Sequence, residues 1–308
     1  MKIDASEILV LINRQKDNYF PEKLDYCKLL NLYKSNSLFS RVFRKIILKF
    51  NIIPLEKVIF KTLIKYLNSA KYIILFDTGN AAYLAKLIKK ISPNIKLIIW
   101  YWNPVGASID LKEFSGLDIE IWSFDPNDCK KHGLKYNTQF FIEKNLEYIN
   151  NSSKCEQDVF YVGVDKDRSK ILSKLKNIFD KEHISYKFNL VKNGNKDNDY
   201  GIEYCEPLEY KAVLNNISQS KAVIDLVAEG QNGLTLRPLE ALFLKKKLIT
   251  NMLSIKEYDF YSPENIFIIG EDDDTKLKEF LCSGYDSTLY DYFCNKYSFK
   301  EWINRFLL

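Results

Sequence analysis

The densest chemistry in the chain lies in residues 220–242, SKAVIDLVAEGQNGLTLRPLEAL. An apolar run at 222–226 leads into a polar loop with two glycines, Gly230 and Gly233. A helical pattern then starts at Thr235 or Leu236. Glycine lets a backbone come close to a ligand, and the unpaired N–H groups at a helix start face an anion. Thr235 is a good N-cap. Arg237 falls in the first turn, where the positive end of the helix dipole opposes a cation. A bound phosphate would reconcile the two. Glu240, one turn along on the same face, could accept hydrogen bonds from ribose hydroxyls. An ordinary strand–loop–helix with a solvated Arg–Glu pair would carry the same residues.

A second cluster is DVFYVGVDKDR at 158–168. A strand here would deliver Gly163 to the end of a sheet, where Lys166 and Arg168 can neutralise a diphosphate. Asp165 and Asp167 also have the DxD spacing that holds Mg or Mn against a diphosphate. The same spacing recurs at Asp197/Asp199 and Asp272/Asp274, so it has little specificity. In the N-terminal half, Asp77 follows an apolar run at 72–76. It could serve as a general base toward a hydroxyl or cap the next helix. His132, downstream of the helix cap Asp125, could act as a base or be structural. Trp100, Tyr101 and Trp102 could stack on a sugar or fill a core.

These residues need elements to position them. Short apolar runs at 8–12, 72–76, 96–101 and 120–123 predict strands, with helices over 80–91 and 126–132. A second series of strands falls at 159–162, 187–191, 222–226, 247–250 and 266–269, with helices over 168–181, 208–218 and 236–244. Alternating β and α units imply parallel sheets covered by helices on both faces. The chain is therefore read as α/β, with two Rossmann-like domains facing each other and ligands in the cleft between them. The polar stretch 147–156 is the best linker. It gives an N-terminal domain at 1–150 and a C-terminal domain at 151–308 that ends in helices from 285 onward.

The 231–241 segment resembles the nucleotide-sugar loop of GT-B glycosyltransferases. More narrowly, it is similar to bacterial enzymes of O-antigen and capsule assembly, with their Gln-x-Gly-Leu-Thr-x-Arg-x-x-Glu-Ala pattern. Gln231, Gly233, Leu234, Thr235, Arg237, Glu240 and Ala241 match it. The resemblance implies that the loop, with Asn232 in it, holds the donor diphosphate and that Glu240 holds the ribose. The 158–168 cluster looks like the opening of the family's donor domain, with Asp167 in place of the usual glycine. Residues 202–210 resemble the stretch that meets the nucleotide base, where Tyr204 or Pro207 could pack on the base face. Many retaining members carry two glutamates with seven residues between them. Asn232 stands at the place of the first, which tilts the mechanism toward inversion, with Asp77 as base and His132 next in line.

The resemblance implies a glycosyltransferase of the hexosyltransferase type. It would move a sugar from a nucleotide diphosphate-sugar to a hydroxyl of a lipid-linked surface glycan: O-antigen, capsule or lipooligosaccharide. No metal and no cofactor beyond the donor substrate is expected, because Arg237, Lys166 and the loop amides would stabilise the leaving diphosphate. Two rivals stay open. One is a metal-dependent GT-A transferase using Asp165 and Asp167. The other is a non-catalytic nucleotide- or glycan-binding partner of a polysaccharide assembly complex.

Composition narrows the field. The chain has 308 residues, 46% hydrophobic and 28% charged, with 20 Tyr and 20 Phe, so disorder is excluded as its main state. GxGxxG, GxxxxGK[ST], GxSxG and HExxH are all absent. Two histidines and six scattered cysteines leave no zinc pattern. A net charge of +5 suits a phosphate-bearing ligand or an anionic membrane but not a nucleic-acid partner. Residues 41–65 hold seven Lys or Arg, with Arg41, Arg44, Lys45 and Lys49 interleaved with apolar residues at helical spacing. Such a helix could face a core or sit on an anionic surface. With no signal peptide and no spanning run, the chain is expected to be cytoplasmic and peripheral on the inner face of the plasma membrane.

Overall fold

The computed structural model describes residues 4–12, 19–31, 61–150, 155–194, 199–228 and 231–308. The chain divides into two compact units, with the break after Thr138. Most of the basic stretch 41–65, the loop residues Glu229 and Gly230, Asp197 and the linker residues 151–154 lie outside the described residues.

The first unit is a six-stranded parallel sheet in the order β2-β1-β3-β4-β5-β6. Its strands are β1 (Ile8–Ile12), β2 (Lys28–Asn31), β3 (Tyr72–Phe76), β4 (Lys96–Tyr101), β5 (Glu120–Ser123) and β6 (Lys135–Tyr136). Continuous burial along β1, β3 and β4 is what a parallel sheet covered on both faces requires. Its helices are α1 (Lys61–Leu67), α2 (Ala81–Ile91) and α3 (Pro126–His132). Helix α2 packs Ala81, Leu84, Ala85 and Ile88 into the core formed with Ile73, Leu75, Leu97 and Ile99.

The second unit is a five-stranded parallel sheet in the order β11-β10-β9-β7-β8. Here β7 is Gln157–Val164, β8 Tyr186–Val191, β9 Ser220–Asp225, β10 Lys247–Thr250 and β11 Ile266–Ile268. The helices are α4 (Arg168–Glu182), α5 (Tyr210–Ser218), α6 (Leu236–Phe243), α7 (Leu277–Cys282), α8 (Tyr290–Lys296) and α9 (Phe299–Leu307). Two parallel α/β sheets and a helical C-terminal segment are the architecture that the GT-B resemblance implies.

Residues 139–150, read from sequence with the first domain, pack within the second unit. Phe140 meets Phe299 and Trp302 at ring separations of 4.6 and 4.4 Å, and Phe141 stacks on Phe243 at 4.5 Å. Phe141 also exchanges backbone hydrogen bonds with Tyr297 and Phe299. Buried aromatic area of this size outweighs the loop-like composition that follows it.

Candidate functional site

In the second unit the chain starts in β7, adds β8 on one side and β9 on the other. The order therefore reverses between β7 and β9, and open α/β sheets bind ligands outside the carboxyl ends of strands at such a point. Strand β7 ends with Gly163 and Val164, and β9 ends with Asp225. The two sequence clusters that suggest a diphosphate site thus meet at one place, through strand register.

Gly163 is required there by close approach. A Cβ would lie 2.6 Å from the Tyr161 hydroxyl and 3.3 Å from Nη1 of Arg168. Arg168 opens α4, and its guanidinium donates to the Val164 carbonyl at 3.0 Å. Asp167, where the family pattern has glycine, adopts the left-handed conformation, φ 61° and ψ 16°. The geometry that favours glycine is kept, in a residue type that tolerates it.

The Asp165 carboxylate is committed to holding this turn. It accepts from the backbone N–H of Arg168 at 3.0 Å and of Ser169 at 3.2 Å, and from the Tyr204 hydroxyl at 2.8 Å. Burial pushes its pKa up, and these hydrogen bonds to the charged form outweigh that, leaving it below the usual carboxylate range. Lys166 and Asp167 are exposed. Among the described residues no group of three His, Cys, Asp or Glu is placed to hold a metal ion.

Helix α6 closes the other side. Thr235 sits at the N-cap position but does not cap with its side chain. Its hydroxyl donates to Oδ2 of Asp225 at 3.0 Å instead. Among the described residues no side chain caps the first-turn amides of Leu236 and Arg237, and Pro238 has no N–H to satisfy. Arg237 bonds Glu240, whose side chain is only 1% exposed. The alternative of a solvated Arg–Glu pair is not met, because the pair is largely buried. Leu234, expected at the donor, is fully buried, backbone included, and packs in the core behind the loop. The Gln231 amide donates to the Gly233 carbonyl at 3.4 Å, and the Asn232 carbonyl accepts from Ser254 and Tyr258.

Two further residues of this site, Asp225 and Tyr161, carry no motif. Burial pushes the Asp225 carboxyl up to about 6, against the pull of Thr235, Arg237 and Arg168. Burial likewise pushes the Tyr161 phenol up to about 12, although Arg168 and Arg237 lie near. The Tyr161 hydroxyl is buried without a hydrogen-bond partner of normal geometry. The signal for both is a polar residue inside an apolar run that ends at the switch point.

A carboxyl pKa raised in the folded state makes stability fall as pH rises. Between pH 4 and 6 the folded chain keeps the Asp225 proton that the unfolded chain has lost. About two pKa units correspond to roughly 2–3 kcal/mol. Asp225→Asn keeps an acceptor for Thr235 and removes the titration. Its stability, measured by urea unfolding, should decline less between pH 4 and 6.5 than that of the parent. Parallel profiles would show that burial does not control this carboxyl.

The first sheet reverses its order between β1 and β3, and Asp77 follows β3. Asp77 does not cap α2, whose N-cap position is Asn80. Its Oδ1 accepts from the Trp102 N–H at 3.1 Å, and its Oδ2 from the Asn103 N–H at 3.2 Å and the Asn103 side chain at 3.4 Å. It thereby ties the end of β4 to the end of β3. Trp100 and Tyr101 are fully buried core residues. Half-buried Trp102 joins an aromatic cluster beside Asp77, 5.0 Å from Phe76, 5.3 Å from Tyr19 and 5.9 Å from Phe20. Asp125 caps α3 as expected, accepting from the Asn127 N–H at 2.9 Å. His132 is the exposed last residue of α3. That helix runs back from the carboxyl edge, so the structure does not bring His132 to Asp77.

No family model and no curated protein sequence matches this chain. Among solved structures it is similar to the apo form of a lipopolysaccharide outer core galactosyltransferase, WaaB, at 13% identity and a TM-score of 0.49, covering 91% of this chain and 84% of that one. It is also similar to a UDP-N-acetylglucosamine 2-epimerase, at 10% identity and a TM-score of 0.44, covering 99% and 95%.

Proposed function

We propose that this chain is a glycosyltransferase that takes a nucleotide diphosphate-sugar as donor. The observation that carries the reading is the convergence of Gly163, Arg168, Asp225, Thr235 and Arg237 at the switch point of the second sheet. Free amides at the start of α6, two guanidinium groups and a close-approach glycine match the charge and shape of a diphosphate. As the bond to the sugar breaks, negative charge grows on the leaving diphosphate, and preorganised donors stabilise it there. A guanidinium has five N–H donors, so Arg237 can keep Glu240 on one edge and offer another to phosphate. Glu240 then acts chiefly by orienting Arg237. Because Asp165 is spent on the α4 turn and Tyr204, the DxD rival loses its first carboxylate.

The sugar passes, with inversion at its anomeric carbon, to a hydroxyl of a lipid-linked surface glycan, and the first unit binds that acceptor. Asp77 beside the aromatic cluster is the carboxylate best placed to receive its proton. The basic stretch 41–65 would seat the enzyme on the anionic inner face of the plasma membrane. Incubation with a panel of nucleotide diphosphate-sugars, read by nucleotide release, should single out one donor and be unchanged by EDTA. If every donor stays intact even to slow hydrolysis, the transferase reading fails. If release stops in EDTA and returns with Mn, metal independence fails.

A further inference from the structure

Asp225 is an acid set among groups that suit an anion. It ends β9 at the switch point and is 7% exposed. Among the described residues its carboxylate accepts one hydrogen bond, from the Thr235 hydroxyl to Oδ2 at 3.0 Å. No cation forms an ion pair with it among those residues. The two guanidinium groups nearby have other partners. Arg168 donates to the Val164 carbonyl at 3.0 Å, and Arg237 pairs with Glu240. A buried carboxylate with one neutral partner keeps its charge only at a cost.

Helix α4 brings Arg168 toward Asp225, α6 brings Arg237 and Glu240, and β7 brings Tyr161. Strand β10 brings Thr250, level with Asp225 in the sheet, whose hydroxyl accepts from the Met252 N–H at 3.1 Å. Burial opposes the charged form most, and Glu240 adds to that. Thr235 and the two arginines favour the charged form. A diphosphate seated on the α6 amides would move this balance one way. It places negative charge near the carboxylate and draws both guanidinium groups toward itself. Both changes favour the neutral acid. Oδ1 accepts no hydrogen bond among the described residues, so it can take the proton while Oδ2 keeps Thr235.

We propose that donor binding draws a proton onto Asp225, so that the donor complex holds it as a neutral carboxylic acid. This rests on the donor site assigned at the switch point. As the sugar leaves, the diphosphate gains a further negative charge. A neutral neighbour lets that charge grow, where a carboxylate would oppose it. Linkage is reciprocal, so a proton taken up on binding makes donor affinity fall as pH rises.

The probes are UDP-glucose, UDP-galactose, UDP-N-acetylglucosamine, GDP-mannose and dTDP-glucose. Each is titrated by calorimetry into the full chain at pH 7, in PIPES and in imidazole. Both phosphates of these donors are esterified and do not titrate near neutral pH. A buffer-dependent enthalpy therefore reports a proton moved by the protein. The donor that binds should bring an uptake of roughly 0.4–0.9 proton, and its affinity should fall about 5–25-fold from pH 6 to pH 8. Asp225→Asn, the neutral isostere, should abolish the uptake and flatten the pH dependence. At pH 8 it should bind that donor about 10-fold more tightly than the parent chain. Loss of a merely structural residue would not tighten binding. The proposal is overturned if the parent chain binds a donor with no uptake, or with proton release. It is also overturned if uptake persists in Asp225→Asn, which would put the proton on Glu240, or if that variant binds more weakly at pH 8. If no donor binds the parent chain at all, the donor site itself is wrong and the proposal falls with it.

Discussion

Arg237→Ala should lower the thermal midpoint by about 6–20 °C. The size of the loss follows from what Arg237 leaves behind. Glu240 is buried on the inner side of α6, with Arg237 as its ion-pair partner. Removing one member of a buried pair typically costs about 3–5 kcal/mol, because the other charge stays out of water uncompensated. For a chain region of this size each kcal/mol moves the midpoint by about 2–4 °C. Asp225 suffers too, since Arg237 is one of the groups that favour its ionised form. Burial thus changes the expectation for a solvated pair, in which such a variant would have kept its stability.

The double variant Arg237→Met/Glu240→Met separates the structural and binding roles. Replacing both charges by apolar groups of similar volume is often neutral, so most of the lost stability should return. Nucleotide diphosphate affinity should not return, because the phosphate-facing guanidinium is still missing. A midpoint drop under 2 °C in Arg237→Ala would contradict the buried pair. Full nucleotide affinity in the double variant would remove Arg237 from the donor site.

Much of the frame was legible because parallel strands buried on both faces read as plain apolar runs. Strands β1, β3, β4, β5 and β10 fall on the residues expected from such runs. Strand β2 escaped notice because its four residues, Lys28–Asn31, bury only Leu30 fully. Strand β6 is two exposed residues at an edge, with no pattern to read. The donor motifs were visible as residue types, but their meeting was not. Gly163 and Asp225 become neighbours only through the pairing of β7 with β9. Asp225 ends an apolar strand and has no motif of its own, so its grip on Thr235 is a fact of register. The three lysines at 245–247 look alike in sequence. The backbone turns left-handed at Lys245, which lies over the Tyr290 ring, while Lys247 is buried on two acceptors.

Asp77→Asn should cut turnover about 10²–10⁴-fold while leaving donor affinity intact, the usual worth of a positioned general base. The geometry demands a control, because this carboxylate also clamps a loop. Both oxygens accept backbone N–H groups, from Trp102 and Asn103. An asparagine must turn its NH₂ toward one of those donors, so a loss of about 1–3 kcal/mol of stability should accompany the substitution. Slower turnover alone could then reflect a displaced loop. Asn103→Ala gives the comparison, since it removes the side-chain bond to Asp77 and keeps the carboxylate with its backbone donors. If Asp77 receives the acceptor proton, Asn103→Ala should retain most of its kcat. The pH–rate profile should then keep its acidic limb in Asn103→Ala and lose it in Asp77→Asn. If both variants lose turnover equally and keep the same profile, Asp77 is a positioning residue for the Trp102 loop. A product of retained anomeric configuration would remove the need for any base in the first unit.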